Sequence, residues 1–254
     1  MISNVVRISV TNNFNCTDKE WKQVDTFAKA NPYKYFFINS NIRTPKLATV
    51  TKHPYKVVVT ANPDLLMTQA QFKKVIDKID LIKSKLAFVR VKYIPNDKQI
   101  FTLIGALLKR NIPVILTLQR FNGKASLLKY TDLSFYKFSC SRYRLNGQEL
   151  EHILKVVDDF NKLGFKIWVC DRKGEGCEGC GLCSKLTIGK DLKISSLNLS
   201  TSGICPYNCV DCYAKTMQRF SKAMGNKPII YDTIRQNEKQ AGRLEHIKAH
   251  RKAA

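Results

Sequence analysis

Seven of the nine cysteines fall within residues 170–213, in two groups: Cys170, Cys177, Cys180 and Cys183, then Cys205, Cys209 and Cys212. Two intervening residues let consecutive thiolates turn toward one centre, so both groups carry metal-ligand spacing. Gly179 and Gly181 flank Cys180 and permit the tight turns that such a wrap needs. Four thiolates close a site, and they suit either a [4Fe–4S] cluster or a tetrahedral Zn²⁺. Three leave one metal position open, since no fourth ligand adjoins Cys205, Cys209 and Cys212. The odd number of cysteines argues for metal ligation over a disulfide framework. Cys16 and Cys140 lie outside the groups and read as small buried apolar residues. His53, His152, His246 and His250 have no metal-like spacing near the cysteines, and the chain has no P-loop, Rossmann glycine signature or serine–histidine–aspartate arrangement.

The backbone that must hold these cysteines alternates between two periodicities. Residues 5–11, 34–39, 56–60, 86–93, 113–119, 135–140, 166–170 and 194–200 are short and rich in β-branched or aromatic side chains, which predicts eight strands. Residues 18–30, 68–84, 99–110 and 148–163 have helical spacing; in the second, Phe72, Val75, Ile76, Ile79 and Ile82 share one face. Thr17 before Asp18-Lys19-Glu20 predicts a helix start, and Gly164 a helix stop. Residues 214–224 also read as a helix, whereas 39–56 and 119–135 lack helical periodicity.

Strand–helix alternation predicts parallel strands joined by crossovers. Eight strands predict an α/β chain closed into a (β/α)8 or partial TIM-like barrel, with a doubly wound open sheet as the alternative. The expected organisation is one barrel domain over 1–230, including cysteine-rich loops at 170–213, and a basic tail over 231–254. Cys170 would end the seventh strand, with the rest of its group in the following loop. Cys205, Cys209 and Cys212 would follow the eighth. In a closed barrel those strands are neighbours, so both groups would share the C-terminal mouth. Polar residues alternate along several strands: Arg7 with Ser9 and Thr11, Arg90 with Lys92, Thr117 with Gln119, Lys137 with Ser139. That pattern predicts a polar lumen for a charged ligand.

The 43 basic residues outnumber the 20 acidic ones, a net charge of +23 that points to a polyanionic partner such as RNA or DNA. Lys92, Arg120 and Arg142, at predicted strand ends, are candidate contacts for an anionic substrate. With 44% hydrophobic residues the chain can bury a core, but no apolar run approaches the roughly 20 residues that span a bilayer. Residues 1–10 carry Arg7 and alternate polar with apolar, unlike a signal peptide. The expectation is a soluble cytoplasmic protein.

Cys205-x3-Cys209-x2-Cys212, with Leu197-Asn198-Leu199-Ser200 before it and Tyr213 after it, resembles the cluster motif of the radical S-adenosylmethionine (radical SAM) superfamily. The resemblance implies a [4Fe–4S] cluster held by three cysteines. Its fourth iron would bind SAM, and an electron donor would drive reductive cleavage of SAM to a 5′-deoxyadenosyl radical. Asp211 stands where that family usually has an aromatic residue, and the motif follows the last predicted strand instead of the first. A circularly permuted barrel reconciles this order. Thr11, Asn12 and Asn13 would then take the place of the family's glycine-rich contact to the SAM amino group. Cys170, Cys177, Cys180 and Cys183 would hold an auxiliary cluster. The two groups together also resemble phage-encoded cysteine-cluster proteins of the "gene product 88" kind, which share a C-x2-C-x2-C group and a Cys-Tyr-Ala segment, here in a different order. A non-enzymatic, zinc-stabilised nucleic-acid-binding protein is the reading from another class.

Overall fold

Short side chains placed just before apolar runs start the helices. Thr17 accepts the Glu20 amide proton at 3.3 Å, while Glu20 accepts the Thr17 amide proton at 3.0 Å, a reciprocal capping box. Thr68 and Gln71 repeat it. Asp97 and Asn146 cap the next two long helices with their side-chain oxygens. Each such cap contributes about 1 kcal/mol.

The computed structural model describes residues 5–8, 14–61, 68–139, 142–170, 182–189 and 194–197. In chain order it contains β1 (Val5–Ile8), α1 (Asp18–Ala30), β2 (Tyr35–Asn41), a 3-10 segment (Leu47–Lys52), β3 (Val57–Ala61), α2 (Gln69–Ile82), β4 (Leu86–Tyr93), α3 (Lys98–Lys109), β5 (Val114–Leu118) and α4 (Lys124–Leu127). After a 3-10 turn (Leu133–Phe135) come β6 (Tyr136–Ser139), β7 (Arg142–Leu145), α5 (Gly147–Lys162), β8 (Ile167–Val169), α6 (Leu182–Ile188) and β9 (Ile194–Leu197).

Seven strands form one parallel sheet in the order β8-β5-β4-β3-β2-β1-β9. From β1 to β5, and on to β8, each new strand adds on the same side, so this run has no switch point of the doubly wound kind. The helices agree with that winding. Trp21 and Val24 of α1, Ile79 and Ile82 of α2, Leu103 and Leu107 of α3, and Ile153 and Val157 of α5 all enter one core. That core covers the sheet face formed by Val6, Ile38, Val59, Val89, Val91 and Leu116. Leu47 and Val50 of the 3-10 segment join it, so even the crossover without an α-helix lies on that side.

The second face carries a smaller apolar patch of Val5, Phe37, Val58, Phe88 and Ile115. Its cover is α6, which packs on β4 and brings Leu182, Leu186 and Ile188 onto the patch. Strands buried on both faces read as continuous apolar runs, and Val57-Val58-Val59 is such a run. A register shift between Val57 and Val58 pairs them with Leu86 and Phe88, so Leu86 joins the helix-side core and Phe88 the opposite patch.

Two expectations need correction. The predicted strand 135–140 does not enter the sheet: β6 pairs antiparallel with β7 in a separate two-stranded ribbon. Its partner, Arg142–Leu145, is only four residues long and escaped the periodicity reading. The seventh and eighth predicted strands are not ladder neighbours either. β8 pairs with β5, β9 pairs with β1, and no ladder among the described residues joins β8 to β9. The sheet is therefore α/β and parallel but not closed within the described residues, and those strands form its two edges. No described helix is long and apolar enough to cross a membrane.

Leu107 is fully buried where α3 meets the sheet. Leu107→Ala is expected to lower unfolding free energy by about 2–5 kcal/mol through lost burial and the cavity left behind, measured by urea denaturation. An exposed substitution such as Lys109→Ala should change it by less than about 0.5 kcal/mol.

Candidate metal centre

Cys170 and Cys183 come from opposite ends of the first cysteine group and reach the same face of the sheet. Cys170 follows β8 directly, and its amide donates to the Leu116 carbonyl at 2.7 Å, so β5 fixes its backbone. Cys183 lies in the first turn of α6 and is buried at 5% exposure. Both pack in the patch of Val5, Phe37, Val58, Phe88 and Ile115. Residues 170–183 were expected to be loop throughout, yet 182 onward is helix. Leu182, Cys183 and Leu186 have the spacing that one helical face would need, but the run is too short to stand out.

Above the patch sits Arg90. It projects from β4 on the same face as Phe88, with its guanidinium carbon 5.9 Å from that ring's centre. Nη1 donates to Asn39 Oδ1 at 3.1 Å, reaching across β3 to β2. Nη2 donates to Cys183 Sγ at 3.7 Å. Arg90 is 8% exposed and Asn39 3%. A guanidinium keeps its charge at any ordinary pH, so its donor fork favours electron-rich sulfur. Sequence reasoning placed Arg90 and Lys92 on one polar face; Asn39 was missed, because nothing local distinguishes it from a strand-end asparagine.

The rest of this face follows the expected alternation. Arg7, beside Val5, is buried, and Thr117, beside Ile115, is half-buried. Strand alternation places Asn41, Thr60, Arg90 and Ile115 in one row of ladder partners, with Lys92 opposite Thr117 in the next. No described residue that alternation assigns to this face, from Val5 to Thr117, is a carboxylate. Gln119 lies beyond β5 and is buried. Lys137 and Ser139 are not on this face; they belong to the β6–β7 ribbon. Arg120 is exposed beyond β5, and Arg142 is exposed at the start of β7.

Cys177, Cys180, Cys205, Cys209 and Cys212 lie outside the described residues, as do Thr11, Asn12, Asn13 and Asp211. So do Cys140 and the basic tail at 231–254. Among the described residues no three histidine, cysteine or acidic side chains gather in a metal-holding group. Phe14, just after the predicted SAM-contacting residues, is held in place. Its carbonyl accepts Ser40 Oγ at 2.7 Å, and its amide donates to the Asn39 carbonyl at 3.3 Å. The chain thus re-enters beside the C-terminal end of β2. Comparison with protein-family models, curated proteins and solved structures gives no match.

Cys16 is buried in the main core, as its isolation from the two groups implied. Burial first, and then the Glu20 carboxylate, push its thiol up to about 12 from 9.0. Its proton is therefore held more tightly in the folded chain than in the unfolded one. This favours folding below the unfolded value and is lost as pH rises from about 9 toward 12. Cys16 is expected to resist thiol reagents at neutral pH until denaturant is added, as peptide mass mapping would show. Cys16→Ala should remove part of the alkaline loss of stability.

Proposed function

We propose that this chain is an iron–sulfur protein of radical-SAM type built on a partial, circularly permuted barrel. Cys205, Cys209 and Cys212 would hold the SAM-binding [4Fe–4S] cluster; Cys170, Cys177, Cys180 and Cys183 would hold an auxiliary one. The observation that carries the reading is the meeting of Cys170 and Cys183 on one buried patch beneath the Arg90 guanidinium. Two thiols separated by twelve residues of chain arrive there from β8 and α6, on a sheet face that no other described helix covers.

The donors fit the group. Sulfur is the ligand that iron–sulfur clusters take, and apolar surroundings with a few N–H donors to sulfur set their potential. Phe37, Val58, Phe88 and Ile115 would exclude water, and Arg90 would hold Cys183 with its sulfur toward the cationic fork. One-way winding supports the partial barrel, because it keeps α1, α2, α3 and α5 on one face and leaves the other, apart from α6, open to ligands among the described residues. The strand order β9-β1-β2 also suits a permuted barrel, since the strand before Cys205, Cys209 and Cys212 lies next to β1. Thr11, Asn12 and Asn13, in the chain following β1, would adjoin that cluster and contact SAM. When bound, the clusters would supply the electron for reductive cleavage of SAM, received from a separate donor protein. The net charge of +23 favours a nucleic acid or nucleotide as substrate.

Protein purified without oxygen is expected to be brown, with about eight irons and eight sulfides per chain if both groups carry [4Fe–4S], or about four of each if one does. Colourless protein containing zinc and no sulfide would overturn the reading in favour of structural zinc sites. Cys183→Ser should remove the iron of one group only. Arg90→Gln should keep the iron content but lower the midpoint potential of one cluster by tens of millivolts in an EPR-monitored titration, because a nearby cation favours the reduced state. An unchanged potential would remove Arg90 from that role.

A further inference from the structure

The ribbon of β6 and β7 carries charges that folding does not explain. Its register pairs Tyr136 with Leu145, Lys137 with Arg144, Phe138 with Tyr143 and Ser139 with Arg142. Directly paired residues of an antiparallel ladder share a face, so the ribbon has two distinct sides. On one, Tyr136 and Leu145 are buried in the main core, while Phe138 is 64% exposed with its ring 5.1 Å from that of Tyr143. On the other lie Lys137, Arg142 and Arg144. Lys137 directly opposite Arg144 is a like-charge pair, which weakens a hairpin. None of the three cations makes an ion pair among the described residues. Arg144 Nε is buried without an acceptor there.

The surrounding sequence strengthens the imbalance. Residues 120–145 contain Arg120, Lys124, Lys129, Lys137, Arg142 and Arg144 against one carboxylate, Asp132. Asp132 is already engaged, accepting the Ser134 amide proton at 2.9 Å. The ribbon is also firmly fastened. Phe121 and Tyr143 exchange backbone hydrogen bonds at 3.0 and 2.7 Å, tying it to the chain leaving the C-terminal end of β5. β8, which pairs parallel with β5, ends at the same end of the sheet at Val169, directly before Cys170.

We propose that this ribbon binds single-stranded nucleic acid. Phosphates would lie against Lys137, Arg142 and Arg144, and a base would stack on Phe138 where the strand passes the ribbon's edge. A duplex would offer phosphates but keep its bases stacked on one another, leaving the Phe138 ring unused. The site deepens the nucleic-acid part of the proposed function by giving it a surface at the same end of the sheet as Cys170, and it stands whether the cysteines hold iron or zinc.

The test uses the full-length chain and fluorescence anisotropy across a salt series, with one labelled oligonucleotide presented single-stranded and as a duplex. The single strand is expected to bind more tightly. K137E/R142E/R144E should weaken it at least about tenfold, and lower the slope of log affinity against log salt by about 2, as expected for three phosphate contacts on a single strand. F138A should weaken single-strand binding severalfold and leave duplex binding unchanged. K137E alone should weaken single-strand binding without lowering the thermal midpoint, because a carboxylate would then face Arg144, so its lost binding cannot be attributed to unfolding. Unchanged affinity and salt slope in the folded triple variant would overturn the proposal. Duplex binding as tight as single-strand binding would overturn it too. Neither failure would alter iron and sulfide content, so this inference and the cluster reading fall separately.

Discussion

One-way winding of the sheet is the constraint on which the rest of this molecule depends. Because β1, β2, β3, β4, β5 and β8 are laid down in succession on one side, the crossovers α1, the 3-10 segment, α2, α3 and α5 all fall on the same face. That face is covered by helical leucines and isoleucines, and it holds most of the buried apolar surface. At about 1.5–3 kcal/mol for each large side chain buried, it is where the fold draws its stability. Among the described residues the opposite face carries only α6, from the connection between β8 and β9.

That connection has a distance to cover. Among the described residues β8 and β9 are the two edges of a seven-stranded sheet, so in a flat sheet they would stand roughly 29 Å apart at about 4.8 Å per strand. The intervening chain contains the rest of the first cysteine group, and its described part, α6, lies against β4 near the middle of the sheet. Topology therefore brings Cys183 over Phe88 and Arg90. A connection between adjacent strands would have kept the cysteines at the rim, as a closed barrel would. The open order moves at least one of them onto the face opposite the main core, where the guanidinium and the apolar floor already are.

The same winding accounts for the ribbon. A sixth strand in the sheet would have been buried on both faces and would need an apolar run. Residues 136–145 alternate cations and aromatics instead, so they pair with each other outside the sheet and expose Lys137, Phe138 and Arg142. β8 takes the place beside β5, with α5 closing over it. Tyr93 Oη donates to Glu149 Oε1 at 2.6 Å, which joins the end of β4 to the start of α5 across the gap the ribbon leaves.

Much of this was present in the amino-acid order alone. All eight predicted strands exist and α1 spans the predicted residues, because β-branched runs and capping signals act within a few residues of themselves. The polar alternation at Arg7, Arg90 and Lys92 likewise marked one face, since a strand's period of two needs no tertiary knowledge. Cysteine spacing, equally local, is what suggests a metal-ligand segment. What the sequence could not decide was pairing. Whether residues 136–139 bond to β5 or to residues 142–145, and whether β8 meets β9 or lies at the far edge, depends on hydrogen bonds between residues distant in the chain. Those bonds are chosen by which faces can be buried together. The contact of Asn39, Arg90 and Cys183 is of that kind: three residues separated by 51 and 93 positions meet only once the sheet is wound and α6 is laid across it.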